Sequence, residues 1–231
     1  MSDSPRVPLV MSVDVEDWFQ VENLKPAIPR TTWEDRELRV EKNTDRILSL
    51  FADTNTTATF SVLGWVAERV PKLIERIHAA GHEIGSHGYG HELVYDIGPD
   101  RFRADIERAH TLLTAITGSP PTGYRAPSFS ITPWALDILR EHGYTYDSSL
   151  FSFGAHERYA KMELPEDTSE GTTFAFQYPN GIREIPLLTR RVFGMELPWG
   201  GGGYFRLFPP GVFRRGFGKA ARERGGGVFY I

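Results

Sequence analysis

Cysteine is absent from this 231-residue chain, which excludes disulfides and thiolate metal sites. Any metal held here must be held by His, Asp or Glu, a ligand set that suits catalytic sites better than structural ones. An excess of positive charge is also missing. The 26 Lys and Arg against 30 Asp and Glu give a net charge of −4, and the pI is about 6.0. That balance implies no overall basic surface and argues against a nucleic-acid partner. No apolar run approaches the ~20 residues of a membrane-spanning helix. The opening "MSDSPRVPLVMSVDVEDWF" has no basic stretch followed by an apolar one, so no signal peptide is read and a cytoplasmic location is expected. There is no internal repeat, and no low-complexity tract beyond four consecutive glycines at 200–203.

Hydrophobic residues make up 40% of the chain and charged residues 24%, an ordinary globular balance. The length suits one large domain with a real core, so residues 1–231 are read as a single domain. Short apolar or β-branched runs at 6–15, 57–64, 82–87, 121–128 and 144–149 read as strands. Between them, 37–55, 65–81, 98–118 and 132–143 carry helical spacing. Gly81 and Gly118 sit where helices end, and Thr132 with Pro133 sits where one begins. Strands alternating with helices predict a parallel sheet, open or closed into a barrel. Residues 150–209, rich in Phe, Gly and Pro, break the rhythm and read as an irregular insertion with short strands. A helix over 211–225 and a strand over 227–231 follow.

In a parallel β/α arrangement, functional groups collect at the C-terminal ends of strands. Those ends carry "VDVED" (13–17), "SHGYGH" (86–91), "YRAPS" (124–128) and "YDSS" (146–149). His87 and His91 with one carboxylate make the His₂-carboxylate set of catalytic zinc sites. Two imidazoles four apart meet on one helical turn, while Gly88 and Gly90 allow a tight loop instead. Period-2 alternation puts Asp14 and Glu16 on one side of a strand and Asp17 elsewhere. Three acids in four residues repel one another unless a cation neutralises them. One can bind the ion while another acts as general base on water. Arg125 can orient and ionise that base. The bland alternatives are a surface histidine pair, a solvated acidic turn and an ordinary ion pair. Trp18, Phe19, Trp199, Tyr204 and Phe205 suit stacking on sugar rings and suit a core equally well. His78, His110 and His142 fall within helices, and His82 starts a strand facing away from the rim. His156, in the insertion, is a further candidate for the groove.

The ordered set "SVDVED", "SHGYGH", "YRAPS" and "YDSS" resembles the polysaccharide deacetylase family with the NodB homology domain. With "DVEDWF" and "GGGGYFR" it looks most like the branch tied to bacterial exopolysaccharide loci, over residues 8–231. The resemblance implies a distorted (β/α) barrel and metal-dependent removal of N-acetyl groups from a sugar polymer. Asp14 matches the family's general base, and Arg125 the arginine tethering it. His87 and His91 match the metal histidines, and Glu16 the metal carboxylate, with Asp17 a rival. The implied ion is zinc or another divalent metal. Ser128 stands where a backbone N–H helps bind the oxyanion, and Tyr204 is assigned to substrate.

Two departures appear. The family's proton-donating histidine should follow a segment like "VFYI", yet no histidine lies beyond His156, so the C-terminus is read as truncated. Near Asp147 the family often has a tryptophan lining the acetyl pocket. Here Leu150, Phe151 or Phe153 stand in for it, and Asp147 is assigned no role. The rival readings are an amidase or cyclic-imide hydrolase on the same barrel, and a weakly active glycan-binding fragment.

Overall fold

The computed structural model describes residues 7–151, 174–192 and 194–231. In order come β1 (Leu9–Val15), α1 (Val40–Asp53), β2 (Thr59–Val62), α2 (Gly64–Arg69), α3 (Pro71–Ala79) and β3 (Glu83–Ser86). Next are α4 (Val94–Thr117), β4 (Gly123–Tyr124), α5 (Pro133–Glu141), β5 (Tyr146–Asp147), β6 (Phe176–Gln177) and β7 (Arg183–Glu184). Last are β8 (Thr189–Val192), β9 (Met195–Pro198), α6 (Gly202–Leu207), α7 (Pro210–Arg224) and β10 (Gly227–Tyr230).

Eight strands form one sheet in the order β10-β1-β2-β3-β4-β5-β7-β6. All neighbours are parallel except β6, which is antiparallel to β7. The sheet curls into a half-barrel of the expected α/β type. β8 and β9 form a separate antiparallel hairpin. Residues 176–177 and 183–184 fall within the stretch read as an insertion, yet they extend the main sheet. No helix among the described residues is long and apolar enough to cross a membrane.

The helices form because their apolar residues recur at helical spacing. In α1, Val40, Thr44 and Phe51 are buried, with Ile47 and Leu48 packed against the same core. α4 is broken at Gly98 (φ 73°, ψ 171°); its buried set is Val94 before the break and Phe102, Ile106, Ala109 and Leu113 after it, the last four one stripe repeating every three or four residues. Gly118, at φ +75°, ends α4 in the left-handed conformation that glycine adopts without cost. The helix expected over 65–81 divides at Val70 (φ −128°, ψ 56°). Pro71 causes the break, because its ring disfavours a helical residue before it.

Alternation along the strands sorts the two faces of the sheet. Val13 and Val15 of β1, Phe60 and Val62 of β2 and Ile84 of β3 pack under α1 to α4. Full burial of side chains this size is worth ~1.5–3 kcal/mol each. The intervening Ser12, Thr59, Ser61, Glu83, Gly85 and Gly123 line the concave interior. A Cβ on Gly123 would lie 2.1 Å from the Tyr146 ring, so only glycine fits there. Asp14, Glu16 and His87 continue the same face onto the rim.

Candidate active site

The end of β1 carries Asp14, and Glu16 and Asp17 follow directly after the strand. Ser12, Asp14 and Glu16 share the concave side, and Asp14 N–H donates to the Ile231 carbonyl at 2.8 Å. Asp17 points the other way. Its carboxylate accepts the N–H groups of Arg39 (2.7 Å) and Val40 (3.0 Å), and of Trp18 (2.8 Å). It therefore satisfies the exposed donors at the start of α1, where a negative charge also suits the helix dipole. Its oxygens are engaged there, and Glu16 is the acid that turns to the histidines.

The two histidines sit on a loop, not on a helical turn. His87 N–H continues the sheet to the Val62 carbonyl at 2.9 Å. Gly88 (φ +70°) and His91 (φ +51°) are both left-handed, a costly conformation for a residue with a side chain. Asp105, reaching in from α4, holds the bend: its two oxygens accept Tyr89 N–H at 2.7 Å and Gly90 N–H at 2.9 Å. A Cβ on Gly88 would meet Asp105 Oδ2 at 2.7 Å. Burial raises the Asp105 carboxyl above its ordinary value, against these two hydrogen bonds.

The loop brings the rings of His87 and His91 to 5.4 Å between centroids. His91 Nε2 lies 2.6 Å and His87 Nε2 3.9 Å from Glu16 Oε2. One ligand atom from each residue lies within 4.8 Å of the other two. His87 Nδ1 is 2.7 Å from the Arg125 carbonyl, which can only accept. Nδ1 therefore carries the proton and Nε2 is left with its lone pair facing Glu16, the second-sphere pattern of metal-bound histidines.

The electrostatics of the cluster are mixed. Burial holds His87 below its usual value. Burial pushes Glu16 up and His91 down, but their mutual attraction outweighs it, leaving Glu16 below and His91 above their ordinary values. Glu16 Oε2 is buried and lacks a hydrogen bond of good geometry among the described residues, despite its closeness to His91. A carboxylate oxygen and two imidazole nitrogens converging this way fit a divalent cation.

Beside this cluster Arg125 grips Asp14. Nη1 donates to Asp14 Oδ1 at 2.9 Å and to Ser12 Oγ at 2.8 Å. Nε donates to the Ser148 carbonyl and Nη2 to Ser148 Oγ, both at 3.0 Å. Ser148 Oγ in turn donates to the Ile185 carbonyl at 2.8 Å. Arg125 is 2% exposed, so the pair with Asp14 is poorly screened.

A cavity of about 580 Å³ opens on this rim, lined by Asp14, Glu16, His87, His91, Ser128, Phe129, Phe205 and Arg206, among others. Ser128 stands in the turn Pro127–Phe129 at φ +49°. Tyr204 does not line the cavity. Its ring stacks on Phe208 at 6.5 Å, and its neighbours Phe205 and Arg206 face the opening instead. Of the four glycines at 200–203, Gly201 is bridged to Tyr230 at the end of β10, and Gly202 and Gly203 begin α6. Phe19 and Trp199 are buried, and Trp18 is covered by Arg39 at 5.1 Å. Leu150 and Phe151 are buried away from the cavity lining, and Phe153 and His156 lie outside the described residues. His82 is buried against Phe51 and Phe60, as its outward direction requires.

Sequence reasoning missed three supports. Ser12 and Ser148 complete the grip on Arg125, and Asp105 fixes the histidine loop. Asp147 and Glu184 form a buried pair across β5 and β7, in register with each other. Burial pushes Asp147 up to about 6 and Glu184 well above its usual value. None of these contacts has a local signal, since each depends on which strands lie side by side.

The polysaccharide deacetylase family profile matches residues 29–146, and a domain of unknown function, DUF3473, matches 148–231. A peptidoglycan deacetylase of Helicobacter pylori is 33% identical over 105 residues, 46% of this chain and 36% of that protein. A peptidoglycan-N-acetylglucosamine deacetylase of Bacillus cereus is 29% identical over 120 residues, 46% of this chain and 44% of that one. The matched region is thus less than half the length of either relative. A crystal structure from Mycobacterium smegmatis shares the fold, with TM-score 0.64 at 22% identity, over 99% of this chain and 80% of that one. A CE4 family pseudoenzyme of Bacillus anthracis does so at TM-score 0.57 and 13% identity, over 98% and 54%.

Proposed function

The chain belongs to the polysaccharide deacetylase family, and on that premise we propose that it hydrolyses N-acetyl groups on a polysaccharide with the help of a divalent metal. Asp14, Arg125, Glu16, His87, His91 and Ser128 carry this reading. The observation behind it is the Glu16–His87–His91 cluster standing beside an arginine-held Asp14 in one open cavity. Zinc suits this ligand set, and when bound would supply Lewis acidity and a more acidic water.

The protein's own residues do the rest. Asp14 takes the proton of the attacking water, and Arg125, donating to Asp14 Oδ1 at 2.9 Å, keeps it aimed. The turn at Ser128 offers backbone to the developing oxyanion. The C–N bond breaks to acetate and a free amine, and Asp14 returns its proton to the leaving nitrogen.

An exopolysaccharide is the proposed substrate, from the "DVEDWF" and "GGGGYFR" resemblance. A peptidoglycan strand is the second reading, favoured by the names of the relatives above. The test is acetate release by the zinc-loaded protein from N-acetylglucosamine oligomers, peptidoglycan fragments and an acetylated exopolysaccharide. Release is expected from at least one, abolished by Asp14→Asn. Absence of acetate with all three from a metal-loaded, folded preparation would sink the assignment.

A further inference from the structure

Charge and apolar exposure are both gathered in one stretch of the chain, α6 and α7. From residue 197 to residue 222 the chain carries Arg206, Arg214, Arg215, Lys219 and Arg222 and not one acid, in a protein whose net charge is −4. All five cations are exposed. Among the described residues, Arg206, Arg214 and Arg215 have no carboxylate partner; Lys219 pairs with Glu223 at 3.7 Å.

From the last residue of α6 through the first turn of α7 run Leu207, Phe208, Pro209, Pro210, Gly211 and Val212, all exposed except the half-buried Phe208. Leu207 is 76% and Val212 48% exposed, with Phe205 at 44% beside them. Leu207 has the highest exposure of any large apolar side chain among the described residues. Phe213, the next residue, is buried and stacks with Phe217 and Trp199. The corner is thus anchored by Phe213 and by Phe208, which stacks on Trp199 at 5.1 Å, while Leu207 and Val212 project.

We propose that the α6–α7 corner docks on an anionic lipid bilayer, with Leu207 and Val212 entering the headgroup layer and Arg206, Arg214 and Arg215 meeting lipid phosphates. Exposed apolar side chains in one stretch with cations that have no carboxylate partner among the described residues match the interface of a bilayer: burial of the one and attraction of the other add. A soluble acidic glycan would use the arginines but gains nothing from Leu207 and Val212, which do not line the groove. A protein partner, a second copy of the chain included, is an outcome of the test below. Phe205 and Arg206 belong both to the corner and to the cavity wall. Docking therefore places the groove's mouth next to the membrane surface. The inference does not depend on the proposed deacetylation.

The experiment is co-sedimentation of the 231-residue protein with vesicles of one part phosphatidylglycerol to three parts phosphatidylcholine, and with pure phosphatidylcholine vesicles. Binding is expected to the anionic vesicles only, and to fall as salt shortens the reach of the arginine charges. The double change Leu207→Asp with Val212→Asp is expected to cut partitioning by about tenfold or more, and Arg214→Glu with Arg215→Glu by a similar factor. Leu50→Asp, at another exposed apolar position (57%), should leave it unchanged. All these sites are on the surface, and unchanged circular dichroism checks the folds. Equal binding to both vesicles, or binding indifferent to the corner substitutions, would overturn the proposal. So would absence of vesicle binding with retention on a soluble polyuronate, or a dimer in ultracentrifugation that Leu207→Asp dissolves.

Discussion

Arg125 Nη1 stands 2.9 Å from Asp14 Oδ1 although 111 residues separate them. The contact joins the second strand of the sheet order to the fifth, across the hollow of the half-barrel. The same guanidinium holds Ser12 and both oxygens of Ser148. One side chain therefore sets the position of the proposed base and ties three strand ends together.

Arg125→Lys should separate these two roles. Lysine keeps the charge but is a single point donor that cannot reproduce the planar fork. Asp14 then loses its fixed aim, and kcat should fall by ~10²-fold for a misplacement on the order of an ångström. Arg125→Ala should cost about 3–5 kcal/mol of stability as well, because Asp14 is left partly buried and unpaired. Steady-state kinetics and urea titration measure the two effects. A lysine variant with wild-type kcat would remove Asp14 aiming from Arg125's role.

Glu16 and Asp17 should behave oppositely. Glu16→Gln removes the charged oxygen facing His91 and His87, so bound zinc measured by elemental analysis should be lost, as it should with His87→Ala. Asp17→Ala should keep its zinc and lose ~1 kcal/mol or somewhat more, through the donors left open at the start of α1. Zinc loss in the Asp17 variant and retention in the Glu16 variant would reverse the assignment.

Asp105 touches no ligand atom, yet it holds the loop on which both histidines stand. Asp105→Asn keeps one acceptor and turns an amide toward the second N–H. Metal affinity should fall by about 10–100-fold, in line with other second-sphere losses. Competition against a chromophoric chelator reads this directly, without any substrate. Unchanged affinity would mean that the loop holds its left-handed bends unaided.

Part of this arrangement was legible in the sequence, and the division has a physical cause. Periodicity is local, so α1, α4 and α5 and the concave placement of Asp14 and Glu16 follow from the order of residues. Pro71 was a visible signal for the break at Val70. The loop form of "SHGYGH" was not settled, because glycines permit both a distorted turn and a bend; Asp105, from a later helix, decides it. The short helix in "GGYFRL" was hidden by glycines that disfavour it. Which of Tyr204 and Phe205 faces the cavity turns on that helix's rotation, which six residues do not encode. Strand neighbours are also non-local. Arg125's serine partners and the Asp147–Glu184 pair therefore became visible only with the sheet order.

That last pair gives a pH dependence whose sign can be worked out. Both carboxyls are fully buried, side by side in the sheet. Burial raises Asp147 from 3.8 to about 6, and raises Glu184 well above 4.5. A raised folded-state value means that the folded protein keeps a proton the unfolded chain gives up. The stabilisation is complete below the unfolded values and is lost as pH rises through the folded ones. The slope is up to ~1.4 kcal/mol per pH unit for each proton retained. Glu184→Gln leaves an acceptor for Leu150 N–H, now bonded to Oε1 at 3.0 Å, and turns an amide donor toward Asp147. It should therefore remove most of the slope: less stable than or equal to wild type near pH 4, and more stable near pH 8. Urea midpoints for the two proteins across that range test it. Parallel curves would show that no proton is shared between Asp147 and Glu184.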